Sequence, residues 1–331
     1  MTSRRPTRTT FLGATLAGLA LAGLAASRCE ATGHPVVPSA LGSPSSAAAL
    51  EAVVDLPGPV EVETVASTSW ALDRSGIVDL DHPRARAAGL DDGEEAIEVF
   101  FHVLRHPGRG TFLVDTGVER ALRDAPERAA ASGLVRRAMH YERLGLERPL
   151  GDWLASSGGK LDGVFLTHLH LDHVSGLPDV PRGTPVHAGP GEAGHASILN
   201  LATRGTLDRD LQGLPPLSEW RFQADPLGAF EGVVDVFGDG SVFALHVPGH
   251  TVGSTAYLVR STRGPVLLVG DTCASAWGWA HEVAPGRFTS DHAGNERSLA
   301  RLKKLVAAHP AIDVRLGHQR LPDPPGASVS R

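Results

Sequence analysis

Four side chains able to bind a metal, His168, His170, Asp172 and His173, fall within the run Leu166-Thr167-His168-Leu169-His170-Leu171-Asp172-His173-Val174. Neutral imidazole and carboxylate are the donors that zinc and its first-row neighbours prefer. The residues leading in, 161–167, are apolar and partly β-branched, which predicts a buried strand beginning after Gly158-Gly159. Side chains two apart on an extended chain share a face, so His168 and His170 project together from the strand's end and can hold one cation. Asp172 and His173 come where the chain turns, and they can face a second cation a few ångströms away. The competing explanation is a satisfied polar turn. With 16 histidines in 331 residues, however, a coincidence at all four positions is on the order of one chain in several hundred.

The elements that must position these groups can be read on both sides of them. Residues 60–65 alternate apolar and acidic residues, as an edge strand does, and the apolar runs 97–104 and 111–114 flank His106-Pro107-Gly108-Arg109-Gly110 as a hairpin would. Asp115, just past the second run, is either a turn residue or a hydrogen-bond partner for a ligand histidine. Residues 118–153 carry apolar residues at helical spacing and predict two or three helices that could roof the site. A short strand at 185–188 and a helix over 192–211, interrupted at Gly205, follow; His187 and His195 lie there without ligand-like spacing and read as structural or surface residues. Four β-rich runs, 233–236, 242–247, 255–259 and 266–269, are separated by Gly and Pro. Pro248-Gly249-His250-Thr251 follows one of them and Gly270-Asp271-Thr272 another. A helix over 295–308 and a last strand at 312–316 lead to Gly317-His318-Gln319. One arrangement repeats: strand, glycine, ligand.

Thr-His-x-His-x-Asp-His, followed in order by Pro-Gly-His-Thr, Gly-Asp-Thr and Gly-His, resembles the signature of the metallo-β-lactamase superfamily, over 115–318. The resemblance implies an α/β fold, a four-layer αβ/βα sandwich of two mixed β-sheets with outer helices and metals at one edge. It also implies that His168, His170 and His250 bind a first metal, that Asp172, His173 and His318 bind a second, and that Asp271 bridges the two. The intervals of 77 residues from His173 to His250, 21 to Asp271 and 47 to His318 are similar to those of the dinuclear hydrolases of this family, and closest to the acyl-homoserine-lactonase-like branch.

The expected cofactors are two divalent metal ions, zinc first, with manganese, iron or cobalt also compatible with these donors. Two divalent cations bring the pKa of a bound water near ~7 and stabilise an oxyanion. The expectation is therefore a hydrolase whose metal-bridging hydroxide attacks an ester or lactone carbonyl of a small-molecule substrate. Asp172 would orient the nucleophile and pass a proton to the leaving group, as the resemblance implies. β-Lactam hydrolysis is one alternative, favoured by Pro-Gly-His-Thr-x-Gly-Ser and opposed by Asp271. Thioester or phosphoester hydrolysis on the same site and a noncatalytic metal-binding protein are others. Cys273, two residues past Asp271, reads as a packed neighbour. Several lactonases of the family carry a tyrosine three residues past the bridging aspartate, where this chain has Ala274, and Tyr141 of the insert is a candidate to reach in instead. Trp277, Trp279 and Phe288 either line an apolar pocket or belong to the core.

The chain as a whole bounds these readings. Its 331 residues are 42% hydrophobic and 21% charged, with 38 Gly and 24 Pro, which suits short elements joined by many loops. Arg4, Arg5 and Arg8 precede an uncharged run over 11–26 and then Ala25-Ala26-Ser27, so 1–31 reads as a twin-arginine-like export signal and the protein as periplasmic or secreted. An uncleaved anchor is disfavoured because the run is shorter than the ~20 residues of a spanning helix, so no stable membrane insertion is expected after the signal is removed. Residues 32–58, rich in Pro, Ser, Ala and Gly, read as a flexible linker, 59–325 as the hydrolase domain and 326–331 as a tail. Removing 1–31 takes away four arginines and one glutamate, so the net charge of −6 becomes −9. Such a surface repels phosphate backbones, and nucleic acid is not an expected partner. Only Cys273 of the two cysteines would remain, which leaves no intrachain disulfide.

Overall fold

The computed structural model describes residues 29–322. Apart from 29–31, the expected export segment lies outside the described residues, as does the expected tail. The chain opens with β1 (Val36–Pro38), β2 (Ser43–Ser45) and α1 (Ala47–Glu51), then the long β3 (Glu61–Asp73), α2 (Arg74–Ile77), α3 (Pro83–Ala87), β4 (Glu94–His106) and β5 (Gly110–Val114). The insert contributes α4 (Ala121–Asp124), α5 (Gly133–Ala138), the two-residue β6 (Gly145–Leu146) and α6 (Leu150–Ser156). Next come β7 (Gly163–Phe165), α7 (Leu171–Val174), β8 (Val186–Ala188), α8 (Asn200–Asp210) and β9 (Leu217–Glu219). The second half holds β10 (Gly232–Asp235), β11 (Val242–His246), β12 (Thr255–Ser261), β13 (Gly264–Leu268), α9 (Ala276–His281), α10 (His292–Ala308) and β14 (Asp313–Arg315).

The strands form two mixed sheets, ordered β1-β9-β8-β7-β5-β4-β3-β6 and β14-β13-β12-β11-β10-β2. Alternate residues of a strand feed opposite layers. In β5, Phe112 and Val114 face the space between the sheets while Leu113 faces the helices. In β12, Tyr257 and Val259 point inward while Ala256 and Leu258 point to the outer helices. Strands buried on both faces need apolar side chains at every position, which is why these segments read as unbroken apolar runs. Outside the first sheet pack Val135, Leu150, Trp153 and Leu207 of the insert helices and α8; outside the second pack Leu50 of α1 and Leu299, Leu302 and Leu305 of α10. The result is the four-layer αβ/βα sandwich.

Several sequence expectations are corrected here. The expected linker over 32–58 is part of the fold. β1 pairs with β9, β2 pairs with β10, and Ala47, Leu50 and Val54 share one helical face buried against Phe230, Val233 and Phe243. Ser46 caps α1 by accepting from Ala49 N at 3.2 Å. The spacing of these few apolar residues decides the outcome, and the Pro/Ser/Ala composition around them hides it. Residues 29–31, placed in the export segment, also dock: Cys29 O accepts from Ser197 N at 2.9 Å and from Asn200 Nδ2 at 2.7 Å. The expected edge strand at 60–65 is the start of a 13-residue strand paired with β4 along its length. The helix expected from 192 begins only at Asn200, because 191–199 are spent on turns around Gly191 and Gly194; Gly205 does not interrupt it.

Candidate metal centre

β5 and β7 run parallel, as do β13 and β14, and β11 shares the direction of β13 through two antiparallel pairings. Candidate ligands follow the C-terminal ends of these strands, which meet at one edge of the sandwich. Beyond β7 the chain gives His168 and His170, then Asp172 and His173 in the first turn of α7. Beyond β11 it gives His250, beyond β13 Asp271 and beyond β14 His318. The glycines in these bends answer to close approach. A Cβ at Gly249, where φ is +144°, would lie 2.1 Å from Asn295 N, and one at Gly317 would lie 2.0 Å from Asp271 Oδ1. Tyr257, between the sheets, supports the first bend by donating to Leu166 O at 3.0 Å.

All seven residues singled out in the sequence come together in two groups, His168 with His170 and His250, and Asp172 with His173, Asp271 and His318. Within each group the ligand atoms lie within 4.8 Å of one another. Asp271 touches both. Its Oδ2 is 3.2 Å from His318 Nε2 and 3.7 Å from His250 Nε2, and its Oδ1 is 3.5 Å from His173 Nε2. Asp172 Oδ2 lies 3.1 Å from His318 Nε2, and this side chain keeps 17% of its surface exposed.

Hydrogen bonds outside the groups fix which nitrogen of each ring faces inward. His173 Nδ1 donates to Asp115 Oδ2 at 2.8 Å, and His318 Nδ1 donates to Glu98 O at 3.0 Å. Thr289 Oγ1 donates to Pro285 O, so it accepts from His250 Nδ1 at 3.1 Å. Thr167 Oγ1 donates to Asp115 Oδ2, so it accepts from His168 Nδ1 at 3.1 Å. Each of these four rings therefore turns Nε2 into the centre. His170 instead turns Nδ1 inward, 3.0 Å from His250 Nε2. Nε2 of His168 and of His173 and Oδ1 of Asp271 are buried with no hydrogen-bond partner. Buried polar atoms are rarely left so, and inward lone pairs on imidazole and carboxylate are the donor set of a divalent transition-metal cation. The residues present therefore fit a pair of such ions.

Charge divides between the groups. Burial and the neighbouring imidazoles pull His168 well below the usual histidine range and His250 down to about 3, so the first group is neutral. Burial acts in the same direction on His173 and His318, but there the carboxylates win. Asp115, Asp271 and Asp172 hold His173 well above its ordinary value, and Asp271 and Asp172 raise His318 to about 10.

Asp115 is both things the sequence allowed. It occupies a left-handed turn with φ +58°, and it accepts from His173 Nδ1, from Thr167 N at 2.8 Å and from Thr167 Oγ1 at 2.9 Å. Cys273 stays outside both groups, fully buried, its thiol pushed up to about 12 by burial. His187 is structural, stacked on Trp220 and bonded to Ser39 Oγ at 3.1 Å. Trp279 is core, Trp277 stacks on His281, and Phe288 is exposed. Tyr141 packs edge-on against Trp70 at 5.8 Å, and burial raises its hydroxyl above the ordinary value. Sequence reasoning missed Thr289, Asn295 and Glu192. Asn295 accepts from His250 N and donates to Thr272 O, both at 3.2 Å, and so ties two ligand loops together. None of the three sits in a pattern that marks it.

A family model described as the metallo-beta-lactamase superfamily matches residues 98–318. Among curated proteins, the N-acyl homoserine lactonase AttM of Agrobacterium fabrum is 30% identical over 157 residues, 47% of this chain and 57% of that protein. AttM of Rhizobium radiobacter is 27% identical over 227 residues, 67% of this chain and 82% of that protein. The match thus spans little more than half the length of the first of these relatives. Among solved structures, a quorum-quenching N-acyl homoserine lactone lactonase superposes with a TM-score of 0.55 at 21% identity, covering 80% of this chain and 93% of that one.

Proposed function

The chain belongs to the metallo-beta-lactamase superfamily, and from that premise we propose that it is an exported, dinuclear metal-dependent hydrolase acting on an ester or lactone carbonyl. The observation that carries the proposal is the pair of ligand groups joined by Asp271, in which Nε2 of His168 and of His173 are buried with no hydrogen-bond partner. In this reading His168, His170 and His250 hold one divalent cation and Asp172, His173 and His318 a second, with Asp271 shared and zinc the expected metal. Cations so held acidify water toward neutral pH and polarise a carbonyl oxygen.

The chain's own residues do the rest. Asp115, Glu98, Thr167 and Thr289 accept from Nδ1 of four of the rings and so hold Nε2 toward the centre, where a bound cation would take the place of any proton. In this reading Asp172, the more open of the second group's two carboxylates, would take a proton from the attacking water and return it to the leaving alkoxide. A lactone suits this economy because its leaving oxygen stays tethered to the acyl carbon. The lactonase names of the similar proteins support the same substrate class.

The test is turnover by the purified, metal-loaded protein of a lactone, a phosphotriester, a thioester and a chromogenic cephalosporin. Lactone is expected to give the highest kcat/KM; preference for the cephalosporin would replace this reading with β-lactam hydrolysis. Export rests on Arg4-Arg5 and the uncharged run that follows. Fractionation of cells making the full chain is expected to find it outside the cytoplasm, and replacing both arginines by lysine should retain it inside if the twin-arginine route is used. Among the described residues no helix is long and apolar enough to cross a membrane.

A further inference from the structure

Glu192 is a buried acid, 3% exposed, that the mechanism above does not use and that has no Lys, Arg or His partner among the described residues. Its two oxygens reach two different ligand loops. Oε2 accepts from Leu169 N at 3.0 Å, the peptide between His168 and His170. Oε1 accepts from Thr251 Oγ1 and from Gly253 N at 2.7 Å, in the turn that follows His250. The loop that carries Glu192 lies flush against that turn. A Cβ at Gly253 would come within 2.7 Å of Glu192 Cγ, and one at Gly189 would meet Gly253 O at 1.6 Å.

We infer that Glu192 is a positioning residue for the first cation group: it clasps the His168-Leu169-His170 segment to the His250 turn and so sets how tightly that group holds its metal. This rests on the metal-centre reading above. The second group is held by other means, His173 by Asp115 and His318 by Glu98 O, so the effect should fall on one cation and leave the other.

A carboxylate is needed because all three partners are donors, two of them backbone N–H groups that cannot turn away. Glutamine cannot replace it. With its oxygen on the Thr251 side, its NH2 confronts Leu169 N–H; flipped, its NH2 confronts Gly253 N–H. Either orientation loosens one of the two loops.

The experiment compares the wild-type chain with Glu192→Gln and Thr251→Val after zinc loading. It measures zinc per chain by elemental analysis, competition against a chromophoric chelator, and the melting temperature of the metal-free protein. The wild type is expected to keep two zinc ions. E192Q is expected to keep one tightly, with the other weakened about 10- to 100-fold, the usual effect of removing a group that orients a ligand. T251V removes the hydroxyl arm, together with the 2.8 Å bond between Thr251 Oγ1 and Ser254 Oγ within the same turn, and should weaken the same ion less; it decides the matter if E192Q does not fold.

Competition curves that match the wild type for either folded variant would overturn the inference, even if its melting temperature fell, since that would make Glu192 merely structural. A wild-type chain that binds none of zinc, manganese, iron and cobalt would instead bring down the metal-centre reading, and this inference with it.

Discussion

Replacing Asp115 by asparagine tests how the second ligand group is built. The aspartate accepts three hydrogen bonds at 2.8–2.9 Å: Thr167 N on Oδ1, and Thr167 Oγ1 and His173 Nδ1 on Oδ2. Asparagine keeps the shape and tolerates the left-handed φ of +58°, but it has one acceptor oxygen where the aspartate has two. If the amide oxygen takes the Oδ2 place, NH2 is set against Thr167 N–H, a backbone donor with nowhere to go. If it takes the Oδ1 place, NH2 faces His173 Nδ1, which must become an acceptor, and the ring proton moves to Nε2, where it blocks the inward lone pair. The second arrangement preserves the backbone bond and is the expected one. Loss of a partner that fixes a ligand histidine costs about 10- to 100-fold in metal affinity, or about 1.4–2.8 kcal/mol at 1.4 kcal/mol per tenfold. If the chain holds two zinc ions as proposed, D115N should bind one of them that much more weakly in chelator competition. D115A should lose similar affinity and, without metal, melt lower than D115N, because alanine in the left-handed region costs about 1–2 kcal/mol. An unchanged affinity in D115N, with the variant folded, would refute the argument that the His173–Asp115 bond presents Nε2.

Three further outcomes are expected. His250→Ala and Asp271→Ala should each abolish turnover and lower bound metal while Cys273→Ser leaves both intact, since the thiol is buried, outside both ligand groups and raised to about 12; damage confined to C273S would show the shared ligand to be misassigned. A chain begun at residue 59 strips away Leu50 and Val54, both fully buried, and should lose at least about 3 kcal/mol on unfolding in urea, whereas a chain as stable as the full one would mean that 32–58 is only a linker after all. Burial raises the Glu119 carboxyl to about 7 from an ordinary 4.5, so between those values the unfolded chain gives up a proton that the folded one keeps, and this group's contribution to stability declines as pH rises through that window. Glu119→Gln retains an acceptor for Ala130 N but cannot ionise. Its melting temperature should gain on the wild type between pH 5 and pH 8, and a difference independent of pH would show that the carboxyl titrates normally.

The candidate ligands were legible in the sequence because a metal demands particular side chains, and the His-x-His-x-Asp-His run is followed by a histidine or aspartate behind glycine after three further strands, Gly249-His250, Gly270-Asp271 and Gly317-His318. The central strands were legible because burial on both faces demands apolar residues in succession, as over 242–245 and 256–259. The segment 32–58 was not, because its contribution rests on three apolar residues at helical spacing, Ala47, Leu50 and Val54, and on three-residue strands held by backbone pairing, which any composition can supply. Turns around Gly191 and Gly194 that carry Glu192 toward its partners looked like part of a helix for the same reason: those partners are backbone N–H groups, which leave no mark on the residues that own them.

That difference extends to the site itself. On the metal-centre reading, four of the candidate ligand histidines need an acceptor at Nδ1 so that Nε2 faces the cation, and the chain meets the need in three ways: a carboxylate from the end of β5 for His173, a main-chain carbonyl from β4 for His318, and threonine hydroxyls for His168 and His250. The two threonines can serve only because each gives its own proton elsewhere, Thr167 to Asp115 and Thr289 to Pro285 O. Asp115 thus governs two rings, His173 directly and His168 through Thr167, and those rings belong to different ligand groups. A single carboxylate outside the ligand set couples the proton positions of both halves of the centre, and so D115N should weaken the first cation as well, by less than the second.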